Sequence, residues 1–484
     1  MINISLFKDI DNIEFSKIVE QSYGDFEEKY VVESLECLTS FLNFSSSHKN
    51  IIYVIDSLCK SLEFPLFREI FEKNGFISKI PFEKVELQPH IFDLLGIIAQ
   101  FIPNSFNELF ISRFKTVIRL YPRKCLIIIA YYSQEFNSIR NPYGILDLLF
   151  FESDSFCNAE CGIDYVSLLV YLLRQYLPFR KERISQCWTY ICDMLRLVDN
   201  SVITSCYYGL CAISEIDNSA ICNIGYPSEP ISYHLLNKEV QSSVLSFLMR
   251  YPPPPKIHHM KEIILSLLDI SYEYENATLL LLALSMDIYN AMLLVQNPEW
   301  MSKGIPKILD TLRLFGVLML HNDIRSALVQ IPETIFFLKN LLSVNSIGVS
   351  NAICTIIRRL PLTTEFVLSL SQSGFLKIYF ESAQDVDEYS VQLSALRVIN
   401  TISKIRFVPE FIEVIDFVIY LIKNSKHLSI PASSVSIHLC RYPKCAKVFK
   451  AKKLDEFYQD AYLPETLYEY SNRFIKIFNK ALSV

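Results

Sequence analysis

Apolar residues recur at three- and four-residue spacing along most of the chain, which is the period of an amphipathic helix. A clear example is the run Phe411, Ile412, Ile415, Val418, Ile419 and Ile422. Convincing two-residue alternation bounded by hairpin turns does not occur. The breaks are short and carry residues that stop or start helices, as at Asn297-Pro298 and Ser373-Gly374. The pattern predicts an all-α protein with no linker long enough to separate independent domains.

Candidate helix starts recur at a nearly constant distance. Gly144, Arg183, Ile221, Met260 and Gly304 lie 38 to 44 positions apart. This period is typical of stacked repeats of two or three helices, in which no repeat buries its own apolar face without its neighbours. The spacing therefore predicts one continuous stack.

Three segments, beginning at Val202, Val240 and Val391, share a pattern of apolar or small residues at i, i+4, i+7, i+8 and i+11, which forms one wide stripe on a helix. The run from Val391 to Ile399 resembles the third helix of an armadillo repeat. The preceding Ser373-Gly374-Phe375-Leu376 resembles the Gly-apolar junction that opens such a repeat. The resemblance covers roughly residues 70 to 480. It implies a right-handed superhelical α-solenoid of about ten armadillo/HEAT-like repeats.

On this interpretation the chain has three parts. Residues 1–60 form an N-terminal helical cap, residues 61–443 the armadillo/HEAT-like repeat array, and residues 444–484 a basic C-terminal helical cap. Aromatic residues make up 13% of the chain and are expected to fill the irregular spaces between non-identical helices.

Peptide-binding armadillo proteins hold extended ligands with Asn near the end of the third helix. At the matching positions this chain has Ala212, Arg250 and Thr401, and Asn400 is out of register by one residue. The departure argues against the recognition of basic signals that is typical of import receptors.

Composition and motifs argue against an enzyme. The chain has 484 residues, of which 51% are hydrophobic, so it can form a large core and is not a disordered chain. Only 11 are Gly, which disfavours phosphate-cradling loops. The signatures of P-loop NTPases, zinc proteases and α/β-hydrolases are missing. We predict no enzymatic activity, no cofactor and no small-molecule substrate.

Metal ligands do not cluster in the sequence. Cys157 and Cys161 have no nearby His to complete a set of four ligands. His258 and His259 are adjacent, so on a helix their side chains diverge by about 100°. We predict no metal site.

Charge is distributed unevenly along a chain of net charge −6. Residues 1–50 carry nine acids against four bases, whereas residues 441–484 carry nine bases against five acids. Such runs are usual on solvated helix faces, and the alternative is that Lys450, Lys452 and Lys453 bind an acidic partner. The net negative charge argues against nucleic acid as a partner.

Four predicted helices end in Arg followed by Pro within three residues. They are Arg119-Leu120-Tyr121-Pro122, Arg250-Tyr251-Pro252, Arg359-Leu360-Pro361 and Arg441-Tyr442-Pro443. Pro stops a helix and Arg in the last turn complements the macrodipole, which is a purely structural explanation. Alternatively, Arg250, Arg359 and Arg441 form a row of guanidinium groups that binds an acidic or phosphorylated segment of a protein partner.

The segment Pro252, Pro253, Pro254 and Pro255 has two interpretations as well. It is a rigid connector between two helices, which we favour, or an exposed polyproline ligand for an SH3 or WW type of module.

The most apolar stretch is Ala277 to Val295. Asp287 near its centre would be costly in a bilayer, so we predict a buried helix or a tight helix pair and no membrane span. Lys8 and Asp9 precede any apolar run of secretory type, and the 13 Cys form no compact framework. We expect a soluble cytoplasmic protein, with the nucleus as the alternative.

The function predicted from these features is a non-enzymatic scaffold or adaptor that binds a protein along the concave face of the solenoid. Two alternatives stay open. One is a karyopherin-like transport factor that binds cargo, and the other is the regulatory subunit of a larger kinase or cytoskeletal assembly.

Overall fold

The computed structural model describes residues 28–44, 48–81, 88–134, 143–217, 225–271, 273–303, 308–344, 346–460 and 462–483. Throughout these ranges the regular elements are helices, and none of the described residues forms a strand. The prediction of an all-α fold is confirmed. The chain divides into two compact units, Met1–Tyr251 and Pro252–Val484. The division into two units does not test the predicted caps and array boundaries, which stay predictions.

The helices of the first unit are α1 (Glu28–Phe44), α2 (His48–Ser61), α3 (Pro65–Lys73), α4 (Gln88–Phe101), α5 (Glu108–Leu120), α6 (Pro122–Gln134), α7 (Tyr143–Leu146), α8 (Leu148–Phe151), α9 (Ser153–Phe156), α10 (Gly162–Gln175), α11 (Leu177–Met194), α12 (Asn200–Ile216), α13 (Ser228–His234) and α14 (Gln241–Arg250). Short 3-10 turns lie at Phe76–Lys79 and Pro103–Ser105.

Six of these helices form a row in which each packs against the next, and we call α2, α4, α6, α10, α12 and α14 the first ladder. Their first residues, at positions 48, 88, 122, 162, 200 and 241, lie 34 to 41 positions apart. Two of the three patterned segments, those beginning at Val202 and Val240, lie on α12 and α14 with both valines fully buried. The first unit is therefore a stack of helical repeats, as the spacing predicts.

The helices of the second unit are α15 (Met260–Ile270), α16 (Glu275–Leu284), α17 (Ile288–Gln296), α18 (Glu299–Lys303), α19 (Ile308–Leu318), α20 (Asn322–Leu328), α21 (Pro332–Leu342), α22 (Ile347–Arg359), α23 (Thr364–Gln372), α24 (Phe375–Gln384), α25 (Tyr389–Ile402), α26 (Glu410–Glu413), α27 (Ile415–Asn424), α28 (Ser429–Leu439), α29 (Pro443–Ala451), α30 (Leu454–Tyr458) and α31 (Tyr468–Leu482). A 3-10 turn lies at Glu465–Leu467.

A comparable row, which we call the second ladder, consists of α22, α25, α28 and α31. These helices begin at positions 347, 389, 429 and 468, which lie 39 to 42 positions apart. The third patterned segment lies on α25, where Ala395, Val398 and Ile402 are fully buried. Each unit thus has the stacked-helix organisation of an α-solenoid. The number of repeats and their handedness stay predictions.

The structure confirms some of the predicted helix starts and contradicts one. Met260 begins α15 and Gly144 lies in the first turn of α7, whereas Arg183 lies inside α11 rather than at its start. The prediction at Arg183 is wrong because Pro178, which favours the first turn of a helix, already starts α11 two turns earlier. Ile221 and Gly304 lie outside the described residues, as do residues 1–27 of the predicted N-terminal cap.

The Gly-apolar junction is confirmed at Gly374. This residue precedes α24 with φ +76°, a left-handed conformation that glycine adopts at no steric cost. Phe375 and Leu376 follow it directly and are fully buried. A sharp turn at Gly374 therefore lets the chain reverse and bury its next helix at once.

The apolar stretch around Asp287 is a tight pair of helices, as predicted. Helices α16 and α17 meet at an angle of 117°, and the Asp287 carboxylate accepts hydrogen bonds from the backbone N–H groups of Tyr289 (2.9 Å) and Asn290 (3.2 Å). The carboxylate thus caps α17. Among the described residues no single helix has the length and apolar character of a membrane span. Only this bent pair has them, and only when its two helices are taken together.

Replacing Gly209 by alanine is expected to destabilise the first unit by about 1–3 kcal/mol, although alanine favours helices. A Cβ at this position of α12 would lie 2.6 Å from Cγ1 of Val166 on α10, and a valine side chain is too stiff to move away. Urea unfolding of the full chain measures the effect. Gly96→Ala on α4 is the matched control, because its nearest neighbour would be 3.7 Å away. Equal stabilisation by both alanines would contradict the close α10–α12 packing.

Candidate functional site

The three predicted arginines are all exposed and lie at or just beyond the ends of ladder helices. Arg250 ends α14 in the first unit, whereas Arg359 ends α22 and Arg441 follows α28 in the second unit. Two members of the predicted row therefore lie in the second ladder, on helices that α25 separates. Their role in binding stays a prediction.

In the first ladder three arginines at the helix ends have acidic partners. Glu215 of α12 lies between two arginines: Arg250 donates a hydrogen bond to its Oε1, and Nη2 of Arg174 on α10 lies 3.5 Å from its Oε2. At the other end, Nε of Arg123 lies 3.4 Å from Oδ2 of Asp164. Arg250 is thus engaged within its own unit.

The second ladder has the opposite character. Its first three helices, α22, α25 and α28, contain no Asp or Glu. They and the turns that follow them carry five exposed cations, which we call the basic stripe: Arg358, Arg359, Arg397, Lys404 and Arg441. Within the described part of the chain, none of these five side chains forms an ion pair. A chain of net charge −6 therefore presents an uncompensated basic surface here.

One position of the sequence pattern distinguishes Arg250 in the first ladder from Arg441 in the second. In the shared sequence pattern Glu215 lies 13 residues after Val202, and Lys404 lies 13 residues after Val391. The first ladder thus has an acid where the second has a lysine. The acid neutralises the arginine of the next helix, and the lysine adds to its charge.

Helices α22 and α25 are joined on the side that carries the stripe. The Ser394 hydroxyl donates a 2.6 Å hydrogen bond to Oδ1 of Asn351. Nearby, burial raises the pKa of the Cys354 thiol, and the charges of Arg358 and Arg397 oppose that rise. The charges of two stripe residues on different helices thus act on one thiol.

Helices α25 and α28 are joined at their C-terminal ends. The Tyr442 hydroxyl donates a 2.8 Å hydrogen bond to the backbone carbonyl of Ser403, which holds Lys404 and Arg441 near each other. His438 lies in the last turn of α28. Burial, followed by the charges of Arg441, Lys404 and Arg473, lowers the pKa of His438 to about 4.

The predicted lysines lie elsewhere. Lys450 is exposed in the last turn of α29, which is not a ladder helix. Nζ of Lys452 lies 2.9 Å from Oδ2 of Asp416, and Nζ of Lys453 lies 3.4 Å from Oε2 of Glu456. Lys452 and Lys453 thus already have acidic partners. Binding by these three residues stays a prediction.

The proline segment lies where the chain passes from one unit to the other, because the division falls between Tyr251 and Pro252. Pro253 is buried, and Pro252, Pro254 and Pro255 are exposed. This position suits the connector interpretation, and docking to a polyproline-binding module stays a prediction.

A shallow cavity of about 220 Å³ opens near the N-terminal ends of α22 and α25. Its walls include Ile347, Val391 and the hydroxyl-bearing Ser346 and Ser350. It offers apolar contacts and hydroxyl groups but no titratable side chain.

Metal ligands do not converge in the described ranges: no three His, Cys, Asp or Glu side chains there come together as a metal site would require. His258 and His259 have ring centroids 5.0 Å apart. The twelve described cysteines are free thiols, eight of them buried.

The fourth Arg-Pro helix ending has a structural role. Arg119 of α5 donates hydrogen bonds to both carboxylate oxygens of the buried Glu152, at 2.9 and 3.1 Å, and Nζ of Lys115 lies 3.4 Å from Oε1. These bonds, those from Arg119 first, hold the pKa of Glu152 below its ordinary value of 4.5. The pair fixes the turn between α8 and α9 against α5.

Glu152→Gln is expected to reduce the free energy of unfolding by about 1 kcal/mol at neutral pH. The pKa of Glu152 is lower in the folded protein than in the unfolded chain. Its carboxylate therefore contributes its full stabilisation of the fold above the unfolded-state pKa, and this contribution is lost as pH falls through the folded-state pKa. Wild type and variant should therefore converge in urea unfolding below pH 4.5. The exposed Glu160→Gln is the control. A constant difference at all pH values would contradict an ionic origin.

Sequence reasoning missed Arg358, Arg397, Lys404 and His438 as members of a basic surface. The signal was present in the sequence as three helical segments at one period that contain no acid. It becomes visible only when acids are counted helix by helix.

No protein-family model matches the chain, and no curated protein matches it. Among solved structures, the chain is similar to one from a study of a phosphorylation switch that controls the interaction between cadherin and beta-catenin. The two chains are 13% identical, the TM-score is 0.36, and the match covers 99% of each chain. It is also similar to Kap121p, with 12% identity and a TM-score of 0.37, over 99% of this chain and 56% of that one. An engineered protein gives a TM-score of 0.26 at 12% identity, over 92% of this chain and 99% of that one. Similarities at this level carry no argument about function.

Proposed function

We propose that this protein is a non-enzymatic interaction scaffold whose second ladder binds an acidic segment of a partner protein. One observation carries the proposal: five exposed cations lie on three successive ladder helices and the turns after them, without an acid on those three helices. The proposal requires no cofactor. The transport-factor and regulatory-subunit alternatives stay predictions.

Helix stabilisation alone does not explain the stripe. A cation in the last helical turn gains about 0.3–1 kcal/mol from the macrodipole, which accounts for Arg358 and Arg359 in the last turn of α22. Arg397 lies in the middle of α25, where that effect is absent. The dipole also gives no reason for acids to be missing along the whole length of three helices.

An extended acidic segment fits the stripe because its charges repeat along its length, as the cations do across the helices. A single exposed ion pair contributes only about 0.2–1 kcal/mol, so binding needs several pairs together. Complementary charge gives the specificity and steers the encounter.

Fluorescence anisotropy with a labelled oligoglutamate peptide and the full chain tests the proposal. We expect saturable binding that weakens steeply as salt rises, because the contacts are exposed and screened. A labelled oligolysine peptide of equal length is the control and should bind more weakly. Tighter binding of oligolysine, or no binding of oligoglutamate at low salt, would overturn the proposal.

A further inference from the structure

One carboxylate in the first ladder joins arginines from the helices on either side of it. Glu215 lies in the last turn of α12, and its Oε1 accepts a hydrogen bond from Arg250 at the end of α14. Its Oε2 lies 3.5 Å from Nη2 of Arg174, in the last turn of α10. All three side chains are half-exposed. The bridge therefore lies at the surface, where a carboxylate from another molecule would meet the same two arginines.

The helix that carries Glu215 does not by itself favour an acid at this position. An acid in the last turn of a helix opposes the negative end of the macrodipole, whereas an arginine there complements it. Arg174 and Arg250 both lie in the last turns of their own helices, and Glu215 in the last turn of α12 has the unfavourable sign. The contacts with the two arginines explain the carboxylate, and the stability of α12 does not.

Three positions correspond between the two ladders. The first lies 12 residues after the first residue of its helix in both α10 and α22, and the second lies 15 residues after the first residue of α12 and of α25. The third begins the tripeptide Arg-Tyr-Pro in both ladders. The corresponding pairs are Arg174 and Arg359, Glu215 and Lys404, and Arg250 and Arg441. The second ladder thus repeats the two arginines and lacks the carboxylate between them.

We propose that Glu215 is a built-in ligand, which occupies in the first ladder the place that a carboxylate of the partner takes in the second, between Arg359 and Arg441. A carboxylate suits this place because each of its oxygens can accept from a different guanidinium group, as those of Glu215 do. The inference rests on the proposed function. It adds to that function the position of a ligand carboxylate and the residue that confines the ligand to one ladder.

Glu215 has an advantage over any carboxylate that a partner brings. It is held beside both arginines by α12, whereas a partner loses translational and rotational freedom when it binds. With contacts of equal strength, the tethered carboxylate keeps the arginines. The first ladder therefore excludes an acidic segment, and Arg250 is withheld from the partner although its sequence motif is that of Arg441.

Glu215→Lys tests the inference, because it removes the carboxylate and gives α12 the residue that follows α25. Isothermal titration calorimetry of the full chain at low salt counts the bound peptides, with an oligoglutamate short enough to cover one ladder. We expect the wild type to bind one peptide and the variant two. A photo-cross-linkable form of the peptide should then also form adducts on α10, α12 and α14. Glu215→Gln frees the same arginines without adding a charge and should open the second site with weaker affinity.

Glu229→Lys is the matched control. Oε2 of the half-exposed Glu229 lies 3.4 Å from Nη2 of Arg196, so this variant makes the same change of charge and frees an arginine outside the ladder. It should bind one peptide, as the wild type does. A second peptide bound by this variant would mean that net charge, and not the bridge, controls the number of sites, and would overturn the inference.

The remaining outcomes separate this inference from the proposed function. One peptide bound by both Glu215 variants, with adducts confined to the second ladder and helicity retained in circular dichroism, would overturn the inference and leave the scaffold proposal standing. Two peptides bound by the wild type would also overturn it, because Glu215 would then exclude nothing. Failure of oligoglutamate to bind the wild type and the variants would overturn both proposals.

Discussion

Replacing Lys404 by glutamate is expected to weaken the binding of oligoglutamate about tenfold. The change reverses one charge of the stripe and places an acid beside Arg441, which reproduces the arrangement of Glu215 and Arg250 in the first ladder. Two cations are thus removed from the surface by one substitution. A tenfold change corresponds to about 1.4 kcal/mol, which is the size expected for the loss of two exposed charged contacts at about 0.2–1 kcal/mol each. Fluorescence anisotropy at constant low salt measures it.

Lys450→Glu is the matched control for this prediction. It makes the same change of charge at an exposed lysine on α29, outside the ladder, and should weaken binding by less than about threefold through the long-range field alone. Far-UV circular dichroism of both variants checks that they remain helical. Equal losses in the two variants would mean that net charge, and not the stripe, controls binding.

Phe247→Ala is expected to destabilise the first unit by about 3–5 kcal/mol. Phe247 of α14 is fully buried at the centre of an aromatic cluster, with ring centroids 5.7–6.5 Å from those of Trp188, Tyr207, Tyr226 and Tyr251. These neighbours come from α11, α12 and two connecting segments, so they cannot all move in to fill the cavity. The loss therefore includes both the buried area and the unfilled space. Urea unfolding followed by tryptophan fluorescence measures it, because Trp188 adjoins the cavity.

Phe151→Ala provides the comparison in the same unit. Phe151 is 68% exposed, so its removal leaves no cavity and should cost less than about 1 kcal/mol. Similar losses for the two variants would show that Phe247 does not hold α11, α12 and α14 together.

Much of the fold follows from local sequence, because the burial of a helix face depends on residues three and four positions apart. The patterned segments at Val202, Val240 and Val391 could therefore be assigned to equivalent helices, and all three lie on ladder helices. The junction at Gly374 was predictable for the same reason, since one residue decides the backbone conformation there.

The candidate site could be predicted only in part, because ion pairs join residues from different repeats. Arg250-Tyr251-Pro252 and Arg441-Tyr442-Pro443 are the same tripeptide, yet among the described residues only Arg250 of the two has an acidic partner. What differs is the residue at the C-terminal end of the preceding ladder helix, Glu215 in the last turn of α12 and Lys404 just after α25. A motif read along the chain does not contain that information, whereas the register between successive repeats does.

Photo-cross-linking identifies the helices that hold a bound acidic peptide. An oligoglutamate peptide with a benzophenone group at its centre is bound to the full chain, irradiated, and the adducts are located by mass spectrometry. We expect the adducts to concentrate on α22, α25 and α28 and to decrease strongly in Lys404→Glu. Adducts concentrated on the first ladder, or retained in full by the variant, would contradict the proposed function.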